Sequence, residues 1–181
     1  MLFYLPMSIT DPIVVVLDVE TTGLKPEDGH EIIEIAAQKV QGQDVVGEFC
    51  CLVKPIRRVE ADVEKVHGIS NELLAVEGKN PEDVFPAFVA FLGTLPIVAH
   101  NAPFDVGFIN AHLKRMGIPT LTNQVLDTIT LAKKYLIIPS YSLQKVAAYL
   151  EVPQPTAHRA LADVETTRQV FWKLVQRAKG K

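Results

Sequence analysis

Ile13-Val-Val-Val-Leu-Asp-Val-Glu-Thr-Thr-Gly-Leu24 is the stretch from which the rest of the chain is read. Residues 13–19 form an apolar run broken only by Asp18, and the run stops at a Thr-Thr-Gly turn, the pattern of a central buried strand. Outward from it, residues 31–40 and 45–53 read as two further strands, separated by the hairpin-like break Gln41-Gly-Gln-Asp44. The three strands suggest a meander, although residues 32–37 also admit a helical reading. Beyond Pro55 the pattern changes. Residues 61–66 and 71–76 predict short helices, with Ser70 as N-cap of the second. Pro81–Leu92 carries Val84, Phe85, Phe88, Phe91 and Leu92 at helical spacing, with Pro81 suited to its first turn. A short strand at 96–99 leads into a helix over 104–116, and further helices are expected over 127–135, 142–150 and 158–178. Antiparallel strands followed by alternating helix and strand make a mixed α/β sheet with helices on its faces.

The chain has the length of one domain, 181 residues, and its core is expected to span about 13–178 of them. With 48% hydrophobic and 22% charged residues it reads as soluble and globular. A net charge of −3 argues against a protein that grips long duplex through phosphates alone. Nucleic acid, if bound, should be held over a short stretch with the help of bound cations. Cys50 and Cys51 are strand neighbours pointing to opposite faces, so no disulfide joins them. The apolar start Met1-Leu-Phe-Tyr-Leu-Pro6 is too short to span a membrane and lacks a basic leader, so a cytoplasmic location is expected, with Met7 an alternative start.

Three groups of acids carry the chemistry. Asp18 and Glu20, two residues apart on a strand, share one face at about 6.6 Å along the backbone. Charges at the end of an apolar strand are costly unless paired or bound to metal, the alternative being that one caps the turn while both stay solvated. Asp105 follows the strand at 96–99, where sites in α/β sheets assemble, though an acid in a helix first turn also suits the helix dipole without any function. In His158-Arg-Ala-Leu-Ala-Asp163 a five-residue step places side chains roughly 140° apart on a regular helix. His158 is therefore expected at or before the helix start and Asp163 about one turn in, a base on an entrance loop and a fixed ligand respectively. Asp127 reads as the N-cap of the helix after it, and Lys133-Lys134 as a solvated face.

Together, Leu17-Asp-Val-Glu-Thr-Thr-Gly-Leu24, His100-Asn-Ala-Pro-Phe-Asp105 and His158-Arg-Ala-Leu-Ala-Asp163 closely resemble the three exonuclease motifs of the DnaQ-like family, in its DEDDh branch. Within it, Glu20-Thr-Thr-Gly-Leu24 and Val66-His-Gly-Ile69 look most like the polymerase III epsilon and PolC group. The resemblance implies an RNase H-like fold with a mixed five-stranded sheet, three strands antiparallel and then parallel ones, flanked by helices. It implies a 3′-to-5′ exonuclease that releases nucleoside 5′-monophosphates with two divalent ions, Mg²⁺ or Mn²⁺. Asp18, Glu20 and Asp163 would hold the ion that carries the water; Asp18, with Asp105 directly or through water, would serve the one beside the leaving oxygen. His158 would be the general base.

The substrate implied is the 3′ end of single-stranded nucleic acid, DNA ahead of RNA, with an oligoribonuclease or RNase T-like trimmer as the alternative and a catalytically inactive binding module as the least favoured reading. Thr21, Thr22 and Gly23 match the turn against the terminal nucleotide. Leu24 and Phe104 would wedge or stack on the last bases, with core packing as the other reading. His67 matches a substrate-contacting segment and Asn101 a position that orients the site. A polymerase partner belongs to the family pattern, but the chain ends at Lys181 without the tail that would bind it, so a tight partner is not expected.

Overall fold

The computed structural model describes residues 12–154 and 159–179. The strands are β1 (Ile13–Thr21), β2 (Ile32–Gln41), β3 (Asp44–Leu52), β4 (Ile97–Ala99) and β5 (Val125–Asp127). The helices are α1 (Ala61–His67), α2 (Asn71–Glu77), α3 (Pro81–Leu92), α4 (Ala102–Arg115), α5 (Thr128–Tyr135), α6 (Leu143–Tyr149) and α7 (Ala160–Lys179), with a 3-10 turn at Pro26–Asp28. One sheet runs in the order β3-β2-β1-β4-β5. β1, β2 and β3 are antiparallel, and β4 and β5 continue parallel to β1. The meander and the helices expected from the pattern are therefore present.

One alternative is settled, and one strand is added to those read from the pattern. Residues 32–37 are strand, because Ile32, Ile33, Ile35, Ala36 and Ala37 are all fully buried and a one-faced helical stripe would leave part of that run to solvent. β5 was not picked out from its pattern: three residues do not establish a period of two, and Asp127 at its end also caps α5.

β1 is covered on both faces, and its alternation assigns each residue to one of them. Val15, Leu17 and Val19 pack with Phe85 and Phe88 of α3 and Phe108 and Ile109 of α4. Val14 and Val16 pack with Ala160, Val164 and Phe171 of α7. The even-numbered face therefore looks toward α7, and Asp18 and Glu20 continue it beyond the last buried valine.

β4 is short, and this shapes the site. Val15 N–H donates to Pro96 O at 2.8 Å, so the odd-numbered amides of β1 point toward β4. Pairing continues through Val15 with Ile97 and Val16 with Val98, after which the chain turns into α4. Val19 N–H lies past the end of β4. It donates instead to Asp105 Oδ1 at 3.2 Å.

Candidate active site

Asp18, Glu20 and Asp163 each direct a carboxylate oxygen to one point, with the three atoms all within 4.8 Å of one another. Strand periodicity supplies the first two. The third comes from α7: Asp163 lies in its first turn, and its N–H donates to Arg159 O at 3.0 Å. Such a grouping of hard oxygen donors fits divalent cations of the Mg²⁺ and Mn²⁺ class, which take oxygen ligands. Asp105 is 2% exposed, adjoins β1 through Val19 N–H, and is not one of the three convergent atoms.

The electrostatics agree with an incomplete charge balance. Burial pushes the Asp18 carboxyl well above the ordinary carboxylate range, and Asp105, Glu20, Asp163 and Glu34 push it further. Burial, then Asp163 and Glu34, raise Glu20 to about 7, against a smaller lowering by Arg159. Burial also raises Asp105, opposed by hydrogen bonds from its own amide and from Val19. Carboxylates held in this state bind protons or cations.

Glu34 is a buried acid beside the cluster that the sequence pattern did not single out. It faces Glu20 across the β1–β2 pairing and is 2% exposed. Unlike Glu20, it is fully engaged. Arg159 Nη2 donates to Oε1 at 2.7 Å, Arg159 Nε reaches both oxygens at 3.1 and 3.2 Å, and Ala160 N–H donates to Oε2 at 2.9 Å. The fork fixes the start of α7, and with it the phase that sends Asp163 toward β1. A charge inside Ile32-Ile-Glu-Ile35 was the available signal, since a charge within a buried strand needs a partner.

A second clamp holds α4. Asp127 Oδ1 accepts from Asn101 N–H at 3.0 Å and Ala102 N–H at 3.2 Å, while the same carboxylate caps α5 through Ile129 and Thr130. These bonds keep its pKa below the ordinary value despite burial. Asn101 takes a left-handed conformation, φ 69°, at the start of α4, and its backbone makes the link. His100 braces the same corner: Nε2 donates to Tyr141 O and Nδ1 meets the Thr128 hydroxyl, each at 2.8 Å.

The remaining expected substrate residues separate by exposure. Thr21 and Thr22 are buried; Thr21 Oγ1 donates to Gly23 O at 2.6 Å, and Thr22 Oγ1 accepts from Glu31 N–H at 3.0 Å. Gly23 carries no side chain where a Cβ would run into the His30 ring. Leu24 stands out at 80% exposed. Phe104 is half-buried against Phe108, with ring centroids 4.8 Å apart. His67 is buried, its Nδ1 accepting Ile69 N–H at 3.0 Å within the turn after α1. His158 lies outside the described residues.

The family model described as "Exonuclease" (RNase_T) matches residues 15–171. The chain belongs to this exonuclease family. PolC-type DNA polymerase III of Thermotoga maritima is 41% identical over 169 residues, which are 93% of this chain and 12% of the relative. The 3′-5′ exonuclease DinG of Bacillus subtilis is 33% identical over 167 residues, 90% of this chain and 18% of that one. Among solved structures, exonuclease X in complex with 5′ overhanging duplex DNA matches at a TM-score of 0.73 and 26% identity, covering 93% of each chain. The fold is the RNase H-like fold of these exonucleases. This chain spans only a small part of the length of the curated relatives it matches.

Proposed function

We propose that this chain, as one exonuclease domain, hydrolyses phosphodiester bonds at the 3′ ends of single-stranded DNA and releases nucleoside 5′-monophosphates, in proofreading or repair and in a cytoplasmic setting. The observation that carries the reading is the convergence of the Asp18, Glu20 and Asp163 carboxylates at the end of β1, with Asp105 beside them and the Asp18 and Glu20 carboxyls raised by burial and by their acidic neighbours. The PolC-type DNA polymerase III relative supports DNA ahead of RNA and a polymerase context, and the DinG relative supports 3′-5′ exonuclease activity.

Asp18, Glu20 and Asp163 would hold divalent cations, Mg²⁺ or Mn²⁺, two in number by resemblance to the family, and Asp105 would serve the second. When bound, such ions offset the repulsion among the acids and stabilise negative charge on the phosphodiester. The protein's own part is to orient the strand and to move a proton. His158, the residue before Arg159, would accept the proton of the attacking water while the phosphorus–oxygen 3′ bond breaks. Leu24, exposed beside the Thr21–Gly23 turn, would press against the terminal base, and Phe104 would line the approach. Thr21, Thr22 and His67 would act by holding the turns around the terminal nucleotide through side-chain bonds to backbone groups, and Asn101 through its backbone N–H on the Asp127 carboxylate.

The test uses labelled single-stranded DNA and RNA of equal sequence with Mg²⁺, with Mn²⁺ and with EDTA. Mononucleotide release from DNA that EDTA abolishes is the expected result. Absence of such release from both strands would overturn the enzyme reading, and faster release from RNA would redirect it to an exoribonuclease.

A further inference from the structure

The proposed reaction leaves unexplained how an acidic chain holds the strand upstream of the bond that is cut. Lys54-Pro-Ile-Arg-Arg58 places three cations within five residues, in a chain whose net charge is −3. Because β3 ends beside the start of β2, this loop emerges at the same end of the sheet as Asp18 and Glu20.

The loop is built onto the turn that follows β1. Glu31, 7% exposed, accepts Ile56 N–H at 2.9 Å and Arg57 N–H at 2.8 Å on a single oxygen. The backbone of Glu31 in turn pairs with Thr22: Thr22 N–H donates to Glu31 O, and Glu31 N–H donates to Thr22 Oγ1. Arg57 Nη1 donates to Asp28 O, adding a second tie to the same turn. Farther along, Asn71 makes a reciprocal pair with the backbone of Val59. The loop is thus fixed at several points relative to Leu24 and to the end of β1.

The side chains it presents point outward. Lys54, Arg57 and Arg58 line one shallow hollow of about 190 Å³ together with Ile56, which is 96% exposed. Arg57 is partly engaged, by Asp28 O and by Glu60 at 3.6 Å. Among the described residues neither Lys54 nor Arg58 has an ion pair of its side chain. Two uncommitted cations around an exposed aliphatic side chain, on a preorganised loop, match the alternation of phosphate and sugar or base along a single strand.

We propose that residues 54–58 form a backbone-phosphate subsite: Lys54 and Arg58 hold phosphates of the substrate strand upstream of its terminal nucleotide, with Ile56 against a sugar or base. The inference rests on the nuclease reading and adds a second point of grip to it.

The experiment compares the native protein with Lys54→Ala/Arg58→Ala and, as a control for general charge loss, with Lys133→Ala/Lys134→Ala on α5. Binding of a long oligothymidylate is followed by fluorescence anisotropy across a salt series without divalent metal. Hydrolysis is then measured with Mn²⁺ on the same strand and on the p-nitrophenyl ester of thymidine 5′-monophosphate, which has no upstream phosphate. When two phosphates are no longer neutralised, the slope of log affinity against log salt should fall by about 1.4, and KM for the long strand should rise roughly tenfold. Turnover of the ester should not change, and the α5 variant should bind the long strand as the native protein does. An unchanged salt slope and KM in the loop variant would overturn the subsite, as would an equal loss on the ester. A native protein that binds the strand through this loop yet hydrolyses neither substrate would leave the subsite standing and remove the nuclease reading.

Discussion

Glu20 and Glu34 stand opposite each other on neighbouring strands, yet the fold treats them in opposite ways. Glu34 is the more deeply buried, and its charge is met by the Arg159 fork and by Ala160 N–H. Glu20 shares its face with Asp18 and Asp163, and its pKa climbs to about 7. A protein that needed only stability would have satisfied both. One carboxylate fixes where α7 begins, and its neighbour is held among acids that raise its pKa. The pairing teaches that in this site the fixed ion pair builds the frame, while Asp18 and Glu20, raised by burial and by neighbouring acids, are the proposed cation ligands.

The largest expected effect comes from removing the unsatisfied side. Asp18→Asn or Glu20→Gln should lower nuclease turnover by on the order of 10³-fold, comparable to deleting a preorganised charge-stabilising group, and should weaken Mn²⁺ binding measured by calorimetry. Retention of both properties in either variant would break the comparison.

On the satisfied side, Glu34→Ala leaves the α7 start without its acceptor. Because Arg159 is 46% exposed and can turn to water, the stability loss should fall near 2–3 kcal/mol rather than at the upper range for a buried pair. Denaturant titration reads that figure, and metal affinity should weaken as well because Asp163 loses its fixed phase. Glu34→Gln, which keeps an acceptor for Ala160 N–H, should recover part of both. Asp127 is a second satisfied carboxylate. Asp127→Ala removes a helix cap and the anchor of Asn101 and Ala102, and should cost about 1–2 kcal/mol, with a smaller loss of turnover through Asp105.

The smallest effect is the one that separates the two glutamates most cleanly. In metal-free protein the raised pKa of Glu20 means that the folded state holds its proton more tightly than the unfolded chain. The corresponding stability is fully present below the ordinary value of 4.5 and is lost as pH rises through about 7. Thermal melts without metal should therefore fall from mildly acidic to mildly alkaline pH, and Mn²⁺ should restore most where the loss is greatest. Glu20→Gln should raise the metal-free melting temperature at alkaline pH by roughly 2–4 °C, for a gain of about 1 kcal/mol after allowing for solvent screening. Glu34→Gln should not raise it. A stabilised Glu34→Gln, or a Glu20→Gln that melts lower, would contradict the assignment of roles.

Much of the architecture was legible because its signals are local. The run from Ile13 to Val19 fixed the central strand, period-two spacing put Asp18 and Glu20 on one face, and the five-residue step to Asp163 placed that acid in the first turn of α7. The three motifs in their order pointed to the family that the chain belongs to. β5 escaped notice because three residues carry no measurable period.

What only the tertiary structure decided concerns groups that act through distant partners. Nothing near Glu34 in the sequence announces Arg159, 125 residues away, and the ion pair exists only because β2 and the start of α7 meet. Asp105 gains its position from an amide of β1 that β4 is too short to pair, a fact of strand length in space. Thr22 and Glu31 join the turn after β1 to the loop at 54–58 for the same reason. Periodicity says which face a side chain takes; only packing says what waits on the other side of it.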